Sequence, residues 1–115
     1  MLSHNHRFHG HGSLRYVYRN GKTARGKYVT LRYCKNTRRV HTRFSVVVSK
    51  KISKRAVIRN AIRRRVYEVI RLKLDMIQPS YDIAVIINDL SIINLTPNEL
   101  HDSLLSLLEK ELLLQ

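Results

Sequence analysis

A small α+β domain is the fold class this chain predicts, and three observations carry the prediction. Segments rich in β-branched and aromatic residues, KYVTLRYC (27–34), RFSVVV (43–48) and YDIAVII (81–87), read as strands. Between the second and third of these runs lies SKKISKRAVIRNAIRRRVYEVIR (49–71), a basic run that becomes a basic amphipathic helix. A leucine-rich helix with a strong start signal at Thr96 closes the chain. The order helix, strands, basic helix, strand, helix makes a two-layer sandwich of one sheet covered mainly on one side by helices. At 115 residues the chain is long enough to bury a core in one domain without staples.

Taken in order, residues 1–12 (MLSHNHRFHGHG) combine four histidines with two glycines and are expected to form a loosely ordered arm. The single α+β domain then occupies residues 13–115. His4, His6, His9 and His11 have no acid or cysteine beside them to fix a metal geometry, so a polar arm that charges at mildly acidic pH is the better reading. Ser13 is a plausible N-cap for a short helix over Leu14–Asn20, with Gly21 as its left-handed stop. In the first strand Val29, Leu31 and Tyr33 point one way and Tyr28, Thr30 and Arg32 the other. Lys35–Val40 is a basic turn. The near-continuous apolar run of the second strand predicts a central position for it. Gln78-Pro79-Ser80 is a loop, and Asn88-Asp89 close the last strand. Thr96 as N-cap, Pro97 at N1 and Glu99 at N3 form a capping box for a helix running to about Leu113.

Charge is distributed unevenly. The net charge is +14, and residues 1–67 hold 19 Lys/Arg and no Asp or Glu, whereas residues 68–115 hold 3 Lys/Arg and all 8 acids. A strongly basic first half points to a nucleic acid or another polyanion as its partner. Wound as a helix, Ile58, Ala61, Ile62, Val66, Val69 and Ile70 share one side, while Asn60, Arg63, Arg64, Tyr67 and Arg71 share the other and Arg59 sits at the border. Guanidinium suits phosphate because its planar fork donates two parallel hydrogen bonds and keeps its charge. A merely solvated face would mix both signs, and this one meets no acid before Glu68. Arg65 points into the apolar stripe, so its stem should be buried and its head should escape to the edge.

Much chemistry is excluded by the same composition. Cys34 is the only cysteine, which rules out an internal disulfide and a cysteine-based zinc site. The basic half lacks the carboxylates of a two-metal nuclease, and no phosphate-cradling glycine loop or nucleophile motif is present. Histidine-based cleavage stays formally open, although His41 has no obvious partner. Tyr28 and Tyr33 of the strand, with Tyr16 and Tyr18 of the first helix, offer flat faces for unstacked bases, which favours single-stranded RNA over duplex DNA. No apolar run approaches the roughly 20 residues of a membrane span, and no signal-peptide core is seen, so a cytoplasmic protein that needs no membrane is expected.

The central stretch resembles the signature of the protein subunit of bacterial ribonuclease P. Ser49-Lys50-Lys51, then Arg55-Ala56-Val57, Arg59-Asn60, Arg63-Arg64 and Glu68 match that family's basic motif and helix. Arg7-Phe8, Leu14 with Val17-Tyr18 and Gly21, Arg43 and Tyr81-Asp82-Ile83 match its other landmarks. Ala61, Tyr67, Ser45 and Leu14 depart from it, standing where the family usually has a basic residue, an arginine, a glycine and an aromatic; Arg65 is the candidate replacement for the arginine lost at position 67. The resemblance implies an α+β sandwich with a left-handed βαβ crossover. It implies a ribonucleoprotein that removes the 5′ leader of precursor tRNA, with Mg²⁺ held mainly by the RNA subunit and no protein catalytic residue. The implied partners are the catalytic RNA and precursor tRNA, with no further protein required. Lys50, Lys51, Lys54, Arg55, Arg59, Asn60, Arg63 and Arg64 would contact the catalytic RNA. Tyr18 and Tyr28, with Leu14 and Leu31, would line a cleft for the leader. A structural, ribosomal-type RNA-binding protein is the alternative from a different class.

Overall fold

The computed structural model describes residues 6–7, 11–111 and 113–115, the side chains of residues 11–13 excepted. Its elements are α1 (His11–Asn20), β1 (Lys22–Arg25), β2 (Val29–Lys35), β3 (Arg43–Val47), α2 (Ala56–Leu72), β4 (Tyr81–Ile87) and α3 (Pro97–Lys110). Short 3-10 segments at Leu74–Met76 and Leu90–Asn94 link the later elements. Of the expected histidine arm, residues 1–5 and 8–10 lie outside the described residues.

One four-stranded sheet has the order β1-β2-β4-β3. β2 pairs antiparallel with both β1 and β4, in registers that set Ala24 against Leu31 and Leu31 against Val85. β3 runs parallel to β4, Phe44 facing Ile83, so the connection between them must cross over the sheet, and α2 is that crossover. The expected central place of RFSVVV is therefore corrected: β3 is an edge strand, and β2 and β4 are the interior ones. Its apolar run comes from being covered rather than flanked. α2 lies over one face, and Arg7 forms a single parallel bridge to Phe44 on the open edge.

The period-2 pattern of each strand sends alternate side chains to opposite faces. Val29, Leu31 and Tyr33 of β2, Phe44 and Val46 of β3, and Ile83, Val85 and Ile87 of β4 meet the buried faces of α2 and α3 in the main core. α2 contributes Ile62, Val66, Tyr67, Val69 and Ile70, and α3 contributes Leu100, Leu104, Leu107 and Leu108. Large side chains buried this completely stabilise the fold by about 1.5–3 kcal/mol each relative to exposure. The opposite face carries α1, whose Val17 is fully buried against Ala84, with Leu14 and Cys34 packed beside them.

Several local expectations change. β1, which the sequence reading left unassigned, forms a hairpin with β2, closed by the Gly26 N–H donating to the Val29 carbonyl at 2.9 Å. α1 starts at His11, two residues before the Ser13 cap that the sequence suggests. Gly21 ends α1 without a left-handed backbone. A Cβ there would lie 2.5 Å from the Val17 carbonyl oxygen and 2.8 Å from that of Tyr33, so glycine is required by close approach of α1 to β2. The capping box at Thr96 is present in both halves: Glu99 N–H donates to the Thr96 hydroxyl, and Thr96 N–H to the Glu99 carboxylate. α3 stops at Lys110, and Leu114 bridges back to Ile77.

Two outcomes follow from this packing. Gly21→Ala should lower unfolding free energy by about 1–3 kcal/mol in chemical denaturation, because two carbonyl groups would have to move. Tyr33 is buried and its hydroxyl donates to Glu111, and burial followed by that hydrogen bond pushes its pKa up to about 12. The unfolded tyrosine loses its proton near pH 10, so stability should fall as pH rises from about 10 to about 12. Tyr33→Phe should flatten that alkaline limb in a pH series of thermal melts.

Candidate nucleic-acid interface

The turn at Ser49–Ser53 feeds directly into α2. Ile52 N–H donates to the Ser49 carbonyl at 3.1 Å, and Arg55 occupies the N-cap position with extended backbone. This turn holds Lys50, Lys51, Lys54 and Arg55 in solvent, one after another. Along the first half of α2 the series continues through Arg59, Asn60, Arg63 and Arg64. All eight residues proposed to meet RNA thus follow one another through the turn and the first half of α2, and no carboxylate falls between them in the sequence.

Two of these guanidinium groups are oriented by local acceptors. Arg59 donates to the Ser53 carbonyl at 2.9 Å, which ties the helix to the turn before it. Arg63 donates to the Asn60 side-chain carbonyl at 2.7 Å. Each contact engages one nitrogen and leaves the remaining N–H groups of the fork to an anion. Asn at position 60 is explained in this way: it is a neutral acceptor that positions an arginine without cancelling its charge. The first acid of the helix, Glu68, is instead paired with Arg71 at 2.5 and 3.0 Å, and that hydrogen-bonded guanidinium holds its carboxyl below the usual range.

Tyr67 and Arg65 correct the helical-wheel reading. Tyr67 is buried beside Val66, and its hydroxyl accepts the Val46 N–H at 3.1 Å, capping a backbone donor of edge strand β3. It faces the sheet, not solvent. Arg65 sends its head to the edge as its position in the apolar stripe predicts, but there it donates to the carbonyls of Ile92, Ile93 and Leu95, at 2.8 Å for Ile93. Those carbonyls belong to the 3-10 segment and the residue after it, so Arg65 fastens that link to α2 and does not replace the arginine missing at position 67.

The residues expected to line a leader cleft are divided by the sheet. Leu14 and Tyr18 lie on α1, Leu14 packing beside Val17 and Tyr18 keeping 40% of its surface exposed. Leu31 has no exposed surface and sits in the main core on the opposite face, which removes it from any cleft under α1. Tyr28 packs at the margin of that same core with the Lys27 ammonium 5.2 Å from its ring centre. Tyr33 is likewise a core residue. The alternation of β2 carried this information for Leu31 and Tyr33, since both share the Val29 face.

Arg32, on the α1 side of β2, is the residue sequence reasoning missed here. Its guanidinium donates to the Tyr18 and Val17 carbonyls and to the Thr23 hydroxyl, satisfying the C-terminal end of α1. Burial raises the Tyr18 phenol, and the nearby Arg32 charge opposes that rise. Nearby, Arg43 and buried Asp82 form a two-pronged ion pair with both distances 2.8 Å, and Asn36 donates to the same carboxylate at 2.9 Å. Hydrogen bonding to Asp82 raises the Arg43 pKa. Exposed Tyr16, Lys35 and Arg38 surround this pair in a polar cavity of 400 Å³. His41 does have a neighbour: the His6 ring lies 4.8 Å away, and His6 Nδ1 is 3.0 Å from the Thr42 carbonyl oxygen.

Fold and surface together define a class, a small strongly basic α+β protein in which one helix and the turn before it carry nine of the 22 lysines and arginines. The family model described as Ribonuclease P matches residues 2–111. The ribonuclease P protein component of a Pseudanabaena species is 32% identical over 112 residues, covering 96% of this chain and 94% of that protein. That of Synechocystis is 34% identical over 71 residues, 62% of this chain and 57% of that protein. The solved Staphylococcus aureus RNase P protein has the same fold, with a TM-score of 0.84 and 24% identity over 96% of this chain and 98% of that one. The chain belongs to the ribonuclease P protein component family.

The separation of fastening residues from free cations has a measurable consequence. Arg65→Ala takes the side-chain donor from the Ile93 and Leu95 carbonyls, while Ile92 keeps the Leu95 N–H, and should cost about 1–3 kcal/mol in equilibrium denaturation. Arg64→Ala, at an exposed neighbouring position, should stay within about 0.5 kcal/mol of the parent.

Proposed function

We propose that this chain is the cytoplasmic protein subunit of a ribonuclease P that removes the 5′ leader of precursor tRNA. One observation carries the reading: the uninterrupted, one-signed surface from Lys50 to Arg64, built on a helix whose other side is anchored in the core. Such a surface is suited to the phosphates of a folded RNA, and neutralising them lowers the repulsion between catalytic RNA and substrate. It also lowers the Mg²⁺ concentration that the two RNAs need in order to associate.

Several carboxylates are already engaged within the protein, which supports a reading in which Mg²⁺ is held by the RNA. Asp82 is clamped by Arg43 and Asn36, Glu68 by Arg71, and Asp89 and Glu99 accept backbone N–H groups at helix starts. Among the described residues no group of three His, Cys, Asp or Glu is placed to hold a metal. In this reading the ion and the hydrolytic step belong to the RNA, and the protein contributes binding and orientation. Tyr18 and Leu14 on α1 are the residues proposed to meet the single-stranded leader, with the half-buried Tyr28 ring as a more distant contact.

The test is electrostatic. Arg59→Ala combined with Arg63→Ala should weaken binding to a bacterial ribonuclease P RNA and reduce the slope of log affinity against log salt by about 2. Filter binding across a salt series measures it, and an unchanged slope would remove α2 from the interface.

A further inference from the structure

Between the C-terminal half of α2 and the start of α3 lies a groove of 760 Å³, within the range of sites that enclose a nucleotide-sized ligand. Its apolar lining includes Val69, Leu72, Pro97 and Leu100. Leu72 is 62% exposed there. The cationic rim is formed by Arg64 and Lys73, and among the described residues neither side chain has a hydrogen-bond acceptor. Asn98 and His101, one turn apart on α3, complete the wall with an amide and a planar ring.

We infer that this groove receives an unstacked nucleotide of the RNA bound along α2, an inference that rests on the proposed function. Two features select that occupant. Arg64 belongs both to the Lys50–Arg64 surface and to the groove, so an RNA strand on that surface is led to the opening. The combination of an apolar slot and a cationic rim matches a nucleotide, whose base has two apolar faces and whose phosphate is anionic. The base lies against Leu72, Val69 and the His101 ring, with its polar edge toward the Asn98 amide. Its flanking phosphates meet Arg64 and Lys73. Glu68, the carboxylate of the lining, is paired with Arg71 and so repels the phosphates less than a free carboxylate would.

The inference separates apolar from ionic binding. Leu72→Ala removes a contact but no charge, so it should weaken binding to a bacterial ribonuclease P RNA by roughly tenfold while leaving the salt slope as in the parent. Its exposure allows the variant to fold, which a thermal melt checks. In a second measurement, hexaadenylate added to methyl-labelled protein should shift the Val69, Leu72 and Leu100 signals. Parent-like affinity of Leu72→Ala, or hexaadenylate shifts that spare these methyls, would overturn the groove while leaving the proposed function standing. Shifts there with a hexaglutamate peptide but not with hexaadenylate would assign the groove to a protein partner and overturn it too. A parent chain with no salt-dependent RNA binding would overturn both readings.

Discussion

The whole cationic side of α2 depends on the apolar contact between that helix and the sheet. Ile62, Val66 and Ile70 are almost completely buried against a floor that includes Phe44, Leu31 and Ile83. Fixing that stripe fixes the rotation of the helix, and with it the direction of every arginine outside the stripe. Tyr67 adds a directional element to a contact that is otherwise non-directional, because its hydroxyl must reach the Val46 N–H. Edge strand β3 and the helix are thereby locked to each other at one point. A helix this rich in arginine repels itself, and isolated in water it would gain little from its charges. The core supplies the stability that the charged face lacks.

The same division appears at the level of single residues. Arginines that the fold consumes use more than one nitrogen on protein acceptors: Arg65 on the segment after β4, Arg32 on the end of α1 and Thr23, and Arg43 on both oxygens of Asp82. The arginines proposed to meet RNA have a single nitrogen steadied, as with Arg59 on Ser53 and Arg63 on Asn60. A buried, two-pronged pair such as Arg43–Asp82 fixes geometry more than it adds net stability, since desolvation offsets much of the attraction. Its place between β3 and β4 explains why the parallel register there is specific: a one-residue slip would separate the two charges.

The fold class, β4, α2 and the capped start of α3 were legible because each rests on a local pattern that tertiary contacts reinforce. β1 was not legible. KTAR has four residues and one buried side chain, Ala24, so its strand character comes from pairing with β2 rather than from its own composition. The place of β3 at the edge was hidden because a run covered by a helix and a run flanked by strands look alike. Tyr67 misled because an amphipathic side chain fits either face, and only the unpaired Val46 N–H decides between them. Of the candidate site, the cationic surface could be read directly from helical spacing. The aromatic part could not: which face of the sheet α1 covers is a property of the whole topology, and it separates Leu14 and Tyr18 from Leu31.

In the proposed ribonucleoprotein this protein supplies binding and not hydrolysis. The most direct measurement mixes the purified chain with a bacterial ribonuclease P RNA and a precursor tRNA carrying a 5′ leader, at a Mg²⁺ concentration where the RNA alone is slow. The account predicts faster cleavage at the mature 5′ end with both components, and none with the protein alone. Tight binding without acceleration, even with the cognate RNA, would contradict it and favour a structural RNA-binding protein; cleavage by the protein alone would place the chemistry in the wrong partner.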